Sequence, residues 1–221
     1  MADRAAGLPI AREGIPFVGA MAAPTVLAAV GGWPALSLVF GVLTGFVAWF
    51  FRNPARVPPQ GEHVVVAPSD GKVIAIVEEE EPPFLKEPSL RISIFLNVFD
   101  VHINRLPVAG RVMDVVYQPG QFLTANRPEA SMRNEQNALY IETPGRQKVV
   151  CVQVAGLVAR RIACWVVPGE QVQRGERFGL IRFGSRMDTY LPKNSRLLVR
   201  LGQRVKGGET IVAELPCADG S

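Results

Sequence analysis

Gly169-Glu-Gln-Val172-Gln-Arg-Gly175-Glu176 and Gly202-Gln-Arg-Val205-Lys-Gly-Gly208-Glu209 are one phrase written twice, 33 residues apart. Each has the form G-x-x-V-x-x-G-E. Each runs into an apolar stretch, Phe178–Phe183 after the first and Thr210–Leu215 after the second. Glycine supplies the backbone freedom a tight turn needs, and a single valine between two turns can point inward. Each phrase therefore reads as a turn, one buried residue, and a second turn feeding a strand. Outward from this repeat the pattern continues as short strands: Val64–Ala67, Lys72–Glu78, Leu90–Leu96, Arg111–Tyr117, Ala138–Thr143, Val149–Val154 and Leu157–Trp165. Turn signals punctuate them at the spacing expected of an all-β barrel or sandwich. A short helix is expected around Glu129–Asn134. Residues 57–221 are thus expected to form one mostly β domain.

The segment before it is of another kind. Ile15 to Phe51 holds no charged residue over 37 positions. One continuous helix of that length would measure ~55 Å, far more than the ~30 Å of a hydrocarbon core. Gly31-Gly32-Trp33-Pro34 breaks it. The expectation is an N-terminal hydrophobic helical hairpin within residues 1–56, with helices Ile15–Val30 and Pro34–Phe51. The first helix is short and contains Pro24, so the hairpin either spans or re-enters a bilayer. Trp33, Trp49, Phe50 and Phe51 suit the interface. Arg4 and Arg12 precede the hairpin, and Arg52 and Arg56 follow it. By the positive-inside tendency both ends face the cytoplasm, which places the β domain on the cytoplasmic face of the cell (inner) membrane. A hairpin buried in a soluble protein and a cleaved signal peptide are the alternatives. Two apolar segments, and no small-residue cleavage site before a polar start, argue against the signal peptide. A proline-rich linker, Val57-Pro58-Pro59-Gln60-Gly61, then opens the β domain.

Composition narrows the partners. The net charge is +4 over 221 residues, too dilute for nucleic acid and without an aromatic-basic stripe. Beside a membrane it favours anionic headgroups. Three cysteines, Cys151, Cys164 and Cys217, form no CxxC pair, which argues against a disulfide framework and against a metal site. They read as small buried apolar residues.

Few residues can carry acid–base chemistry near neutral pH. There are two histidines, His63 and His102. His63 lies at the end of the proline-rich linker and reads as a surface residue. His102 lies in Asn97-Val98-Phe99-Asp100-Val101-His102-Ile103-Asn104-Arg105. On strand alternation Asp100, His102 and Asn104 would share one face, and polar groups on an apolar strand are costly unless paired or used. Asp70, in Pro68-Ser69-Asp70-Gly71, is either a turn aspartate or a carboxylate that orients His102. Near the C-terminus, Phe183-Gly184-Ser185 places a hydroxyl beside an unshielded carbonyl. It reads as a turn, or as a serine poised to attack the peptide bond before it.

Two resemblances follow from these residues. The repeated phrase resembles the hairpins of biotinyl/lipoyl-type barrel-sandwich domains, and the fold expected is a barrel-sandwich β domain. Those carriers present a lysine on a hairpin; here only Lys193, beside Pro192, lies between the repeats, so a swinging-arm function is not expected. In a second resemblance the chain is similar to the phosphatidylserine decarboxylases, in their short (archaeal-type) form. The match rests on the hairpin ending Phe50-Phe51-Arg52-Asn53-Pro54, on Ala67-Pro68-Ser69-Asp70-Gly71-Lys72-Val73, on Asn97 through Arg105, on Arg133-Asn134-Glu135-Gln136-Asn137 and on Phe183-Gly184-Ser185, in that order.

That resemblance implies a chain that cuts itself between Gly184 and Ser185, giving a β-chain of residues 1–184 and an α-chain of residues 185–221 that remain a heterodimer. A higher oligomer is compatible with it. Ser185 would be the nucleophile and the precursor of a covalent pyruvoyl group. That group would form a Schiff base with phosphatidylserine in the bilayer and stabilise the carbanion left by CO2. Asp70 and His102 are the accompanying catalytic candidates. Asn104, Arg105, Asn134 and Glu135 are candidates for substrate binding. Two departures stand out: Arg105 occupies the place of a second family histidine, and Arg186 the place of a threonine. Phe122-Leu123, in the Gly120–Ala125 loop, either dips into the bilayer surface or is buried in the protein. The competing readings are a non-catalytic membrane-anchored barrel-sandwich adaptor and a pyruvoyl enzyme acting on a soluble amino acid.

Overall fold

The computed structural model describes residues 8–80, 84–85, 87–120, 134–156, 162–182 and 185–217. The chain divides into two compact units, Met1–Ala55 and Arg56–Ser221.

In the first unit a 3-10 turn at Arg12–Gly14 leads into α1 (Ile15–Val30), and α2 (Pro34–Phe50) follows. The break falls on the glycines and the proline. Gly31 donates its N–H to the Leu27 carbonyl at 2.9 Å, Gly32 takes φ 73°, and Pro34 opens α2 where a missing N–H costs nothing. Hydroxyls join the two helices. Thr25 Oγ1 and Thr44 Oγ1 lie 3.1 Å apart, and Ser37 Oγ donates to the Thr25 carbonyl at 3.2 Å. Leu27, Val30, Leu38 and Val42 remain 64–83% exposed. Among the described residues, Arg12–Val30 is the one helix long and apolar enough to cross a membrane; α2 is shorter. Beyond α2 the Arg52 guanidinium lies over the Trp49 ring at 4.0 Å.

The second unit is mostly β. Its strands are β1 (Val64–Val66), β2 (Gly71–Glu79), β3 (Ser89–Leu96), β4 (Ile103–Arg105), β5 (Gly110–Gln118), β6 (Gln136–Glu142) and β7 (Lys148–Val154). They continue with β8 (Ile162–Cys164), β9 (Gln171–Val172), β10 (Arg177–Ile181), β11 (Ser185–Pro192), β12 (Arg196–Leu197), β13 (Arg204–Val205) and β14 (Ile211–Glu214). An eight-stranded antiparallel sheet, ordered β13-β2-β3-β11-β7-β6-β5-β9, curls into a half-barrel. Two three-stranded sheets, β1-β14-β12 and β4-β10-β8, complete the unit. One core joins all three: Ile94, Leu139 and Met187 of the large sheet cluster with Phe178, Ile181 and Val212 of the small ones.

The repeated phrase organises this packing. Val172 and Val205 are buried and pair with Gly110 and Gly71, so β9 and β13 close the two edges of the large sheet. Gly169, Gly175, Gly202 and Gly208 all have φ between 76° and 87°, a region that disfavours any side chain. Gly169 and Gly202 donate to the carbonyls of Val112 and Val73; Gly175 and Gly208 donate to those of Leu106 and Ala67. These acceptors belong to a second repeated phrase. Ala67-Pro-Ser-Asp-Gly-Lys-Val73 matches Leu106-Pro-Val-Ala-Gly-Arg-Val112. The two copies exchange backbone bonds, Val66 N–H to the Pro107 carbonyl and Arg105 N–H to the Pro68 carbonyl. The β unit is built as a duplicated motif.

Several sequence expectations are revised. β11, the central strand of the large sheet, had no strand assigned to it. The helix expected around Glu129–Asn134 lies outside the described residues except for Asn134, which makes a β-bridge. The Phe122-Leu123 loop also lies outside them. Of the cysteines, only Cys151 is buried, where burial raises its thiol pKa well above the usual range. Cys164 is half-buried and Cys217 exposed.

Candidate active site

The candidate residues gather at one rim of the large sheet. β11 runs between β3 and β7, with Ser185 opposite Leu96 and Arg186 opposite Val154. Alternation along β11 puts Ser185 on the face of Met187 and Leu191, toward the core. Ser185 is fully buried, and its Oγ has no hydrogen-bond partner among the described residues. A buried hydroxyl in that state is costly and calls for a reason.

Neighbouring strand ends bring the other candidates to the same rim. Ala155 follows Val154 on β7; its N–H donates to the Glu135 carbonyl at 2.9 Å, and its carbonyl accepts from Asn134 Nδ2 at 2.7 Å. Asn134 and Glu135 are therefore fixed just past the row of Ser185. On the other side, a Cβ at Gly71 would lie 2.3 Å from the Phe95 carbonyl, so β2 starts hard against the end of β3.

His102 is 1% exposed and sits just before β4. Its Nδ1 lies 3.0 Å from the Asp100 carbonyl oxygen. A carbonyl can only accept, so the proton belongs on Nδ1 and Nε2 carries the lone pair. The His102 carbonyl accepts from Ile181 N–H at 3.4 Å, at the end of β10 and four residues before Ser185. Asp100 differs from the expectation of a shared strand face. It closes a turn, accepting from Asn97 N–H at 2.9 Å and from the Arg204 guanidinium. Only Asn104 of the three lies within a strand.

A chain of buried amides links the sheets beside Ser185. Gln153 faces Met187 across β7–β11. Gln153 Nε2 donates to Asn104 Oδ1 at 2.8 Å, and Gln153 Oε1 accepts from Asn137 Nδ2 at 3.0 Å. Asn104 Nδ2 has no partner among the described residues. A side chain at Gly179 would approach Gln153 Nε2 to 2.8 Å and the Ala163 carbonyl to 2.3 Å, so the glycine keeps this amide's place open. Gln153 was not foreseen; one polar residue in an apolar strand was its only signal.

Asp70 is engaged elsewhere than at His102. Its carboxylate accepts from Arg56 Nη2 at 3.0 and 3.3 Å and from Gly207 N–H at 2.8 Å. Arg56 also holds Glu209 at 3.0 Å. Arg56 was read only as a flank of the hairpin. Arg105 is buried and donates Nη1 to the Gly175 carbonyl at 2.9 Å. A guanidinium stays protonated and cannot act as a base. Gly184, Phe183 and Arg133 lie outside the described residues.

The outer face of β11 is also buried and is charged. Arg186 and Asp188 form a two-point ion pair at 2.9 Å. Burial alone would lower the Arg91 pKa, but the carboxylates of Asp188 and Glu79 outweigh it and hold it above its usual value.

Fold and geometry together define a class: a serine-centred site at the head of a central strand in a duplicated β domain, with one oriented imidazole nearby. Comparison with known proteins gives the family. The sequence model of the phosphatidylserine decarboxylase family matches residues 43–213. The phosphatidylserine decarboxylase proenzyme of Geotalea uraniireducens (strain Rf4) is 51% identical over 208 residues, covering 94% of this chain and 97% of that protein. The proenzyme of the same name from Syntrophus aciditrophicus (strain SB) is 48% identical over 204 residues, 91% of this chain and 95% of the relative. That of Geobacter metallireducens is 48% identical over 218 residues, 96% and 100%. The chain belongs to the phosphatidylserine decarboxylase family.

Proposed function

We propose that this chain is a self-processing, pyruvoyl-dependent decarboxylase that converts phosphatidylserine to phosphatidylethanolamine and CO2. The observation that carries the reading is the Ser185 hydroxyl, buried and without a partner among the described residues where the chain passes from β10 to β11. Ser185 Oγ attacks the Gly184 carbonyl, and the peptide bond becomes an ester. His102 Nε2 takes the hydroxyl proton, because its Nδ1 proton is committed to Asp100 and Arg105 cannot serve as a base. Removal of the Ser185 Cα proton breaks the Cβ–Oγ bond, so Gly184 leaves as a carboxylate and a dehydroalanine remains at position 185; water then adds to its imine tautomer and ammonia departs, which gives the pyruvoyl carbonyl.

The residues present fit that group: position 185 is fully buried, opposite Leu96 on β3 and on the core-facing side of β11 with Met187. When formed, it supplies an electron sink for the carbanion left by departing CO2. His102 is the group that returns a proton to the product carbon. Asn104, whose Nδ2 has no partner among the described residues, receives the headgroup together with Arg105, Asn134 and Glu135. Asp70, clamped by Arg56 and Gly207, fixes the start of β2 against the site and helps to set the serine.

The two products would stay together as a heterodimer. The α-chain would hold β11 between two β-chain strands, and β14 against β1. The hairpin's exposed apolar faces and the Trp49–Arg52 stack support anchoring in the cell membrane, with the β unit on the cytoplasmic side. The relatives align over nearly their whole length, which supports the short form of the family. In a test with phosphatidylserine vesicles, the wild-type chain is expected to produce phosphatidylethanolamine and Ser185→Ala to produce none. A wild-type chain that forms no product, or an active Ser185→Ala, would overturn the reading in favour of an adaptor.

A further inference from the structure

Two exposed apolar tips stand beside the candidate site and have no role in the chemistry above. Phe99 is 64% exposed at the tip of the Asn97–Asp100 turn, and Leu201 is 65% exposed in the Arg200–Gln203 turn. The Arg204–Asp100 ion pair joins the two turns. The first turn also carries the carbonyl of Asp100 that orients His102, so the tip and the imidazole belong to one short stretch. The charge around the tips is positive on balance. Lys72, Arg200 and Lys206 are exposed and make no ion pair among the described residues. The nearby acids are paired, Asp100 with Arg204 and both Asp70 and Glu209 with the single Arg56, so one negative charge stands against these three cations.

We propose that this patch docks the β unit onto a bilayer containing anionic lipid, with Leu201 and Phe99 entering the headgroup region and the cations facing lipid phosphates. Apolar tips rimmed by cations match such a surface: the tips gain by leaving water, and each cation adds attraction within a Debye length of the membrane. The proposal concerns the β unit's own contact, separate from anchoring by α1 and α2. It rests on the lipid-substrate reading only in giving the site a reason to lie close to headgroups.

The test uses the full chain in lipid nanodiscs. A Cys164→Ser/Cys217→Ser background keeps only the buried Cys151, and Leu201→Cys then carries an environment-sensitive dye. In discs containing phosphatidylglycerol the dye emission is expected to shift to the blue and to be quenched by spin-labelled lipid. Adding Lys72→Glu and Arg200→Glu, or replacing the lipid by phosphatidylcholine alone, removes the shift. The same dye at Arg146→Cys, on the β6–β7 turn, shows none. A dye at 201 that stays water-like in anionic discs, or a shift that survives both charge reversals, overturns the proposal. Turnover does not enter the readout. A water-like dye on an active enzyme contradicts docking alone, and a shifted dye on an inactive chain contradicts the functional reading alone.

Discussion

The proposed reaction asks more of His102 than its surroundings in the sequence suggest. Arg105 is a permanent cation tied to the Gly175 carbonyl, and Asp70 is occupied by Arg56 and Gly207. In the proposed reaction one imidazole is left to serve both self-cleavage and carbanion protonation. His102→Asn keeps a donor at the Nδ1 position for the Asp100 carbonyl but has no basic nitrogen. It is expected to slow both steps by about a hundredfold or more, since a positioned acid–base group contributes that much. Appearance of the small chain on a gel and product formation by any processed enzyme measure the two steps separately; an unaltered rate in either removes His102 from it. The sequence singles out Ser185, His102 and Asp70 as candidates through the motifs that hold them. It does not single out their partners. Arg56 meets Glu209 across 153 positions, and Gln153 meets Asn104 across 49. Nothing local in a sequence marks such pairs.

At the scale of elements, strands with one apolar face were readable to within a residue or two. β11 was not. Its inner face alternates Ser185, Met187, Thr189 and Leu191, while its outer face holds Arg186 and Asp188, whose mutual ion pair lets both be buried. A charged pair in the middle of a sheet hides the alternation that identifies a strand. The close approach of β10 to β8 is equally silent in sequence, since Gly179 looks like a flaw in a strand. Gly179→Ala forces the new methyl against the Ala163 carbonyl and the Gln153 amide. A destabilisation of about 1–3 kcal/mol is expected, the usual cost of overpacking, read as a lower midpoint in urea unfolding. An unchanged midpoint would show that the two sheets do not meet there as closely as described.

For the whole molecule, the division into an apolar helical unit and a β unit could be read from a 37-residue stretch without charge followed by turns and short strands. The duplication was half-visible. The G-x-x-V-x-x-G-E copies share four letters of eight in a distinctive pattern, whereas Pro68–Val73 and Pro107–Val112 share Pro, Gly and Val, a combination common to many turns. That duplication interleaves the two ends of the β unit, and residues 185–221 supply its central strand. A cut before Ser185 would therefore leave the fold standing, and an intact-mass measurement on the purified, denatured protein tests the central claim most directly. Two chains are expected, residues 1–184 and 185–221, the smaller beginning with a group that lacks a free amine. A single chain of 24.0 kDa from active wild-type protein would contradict it.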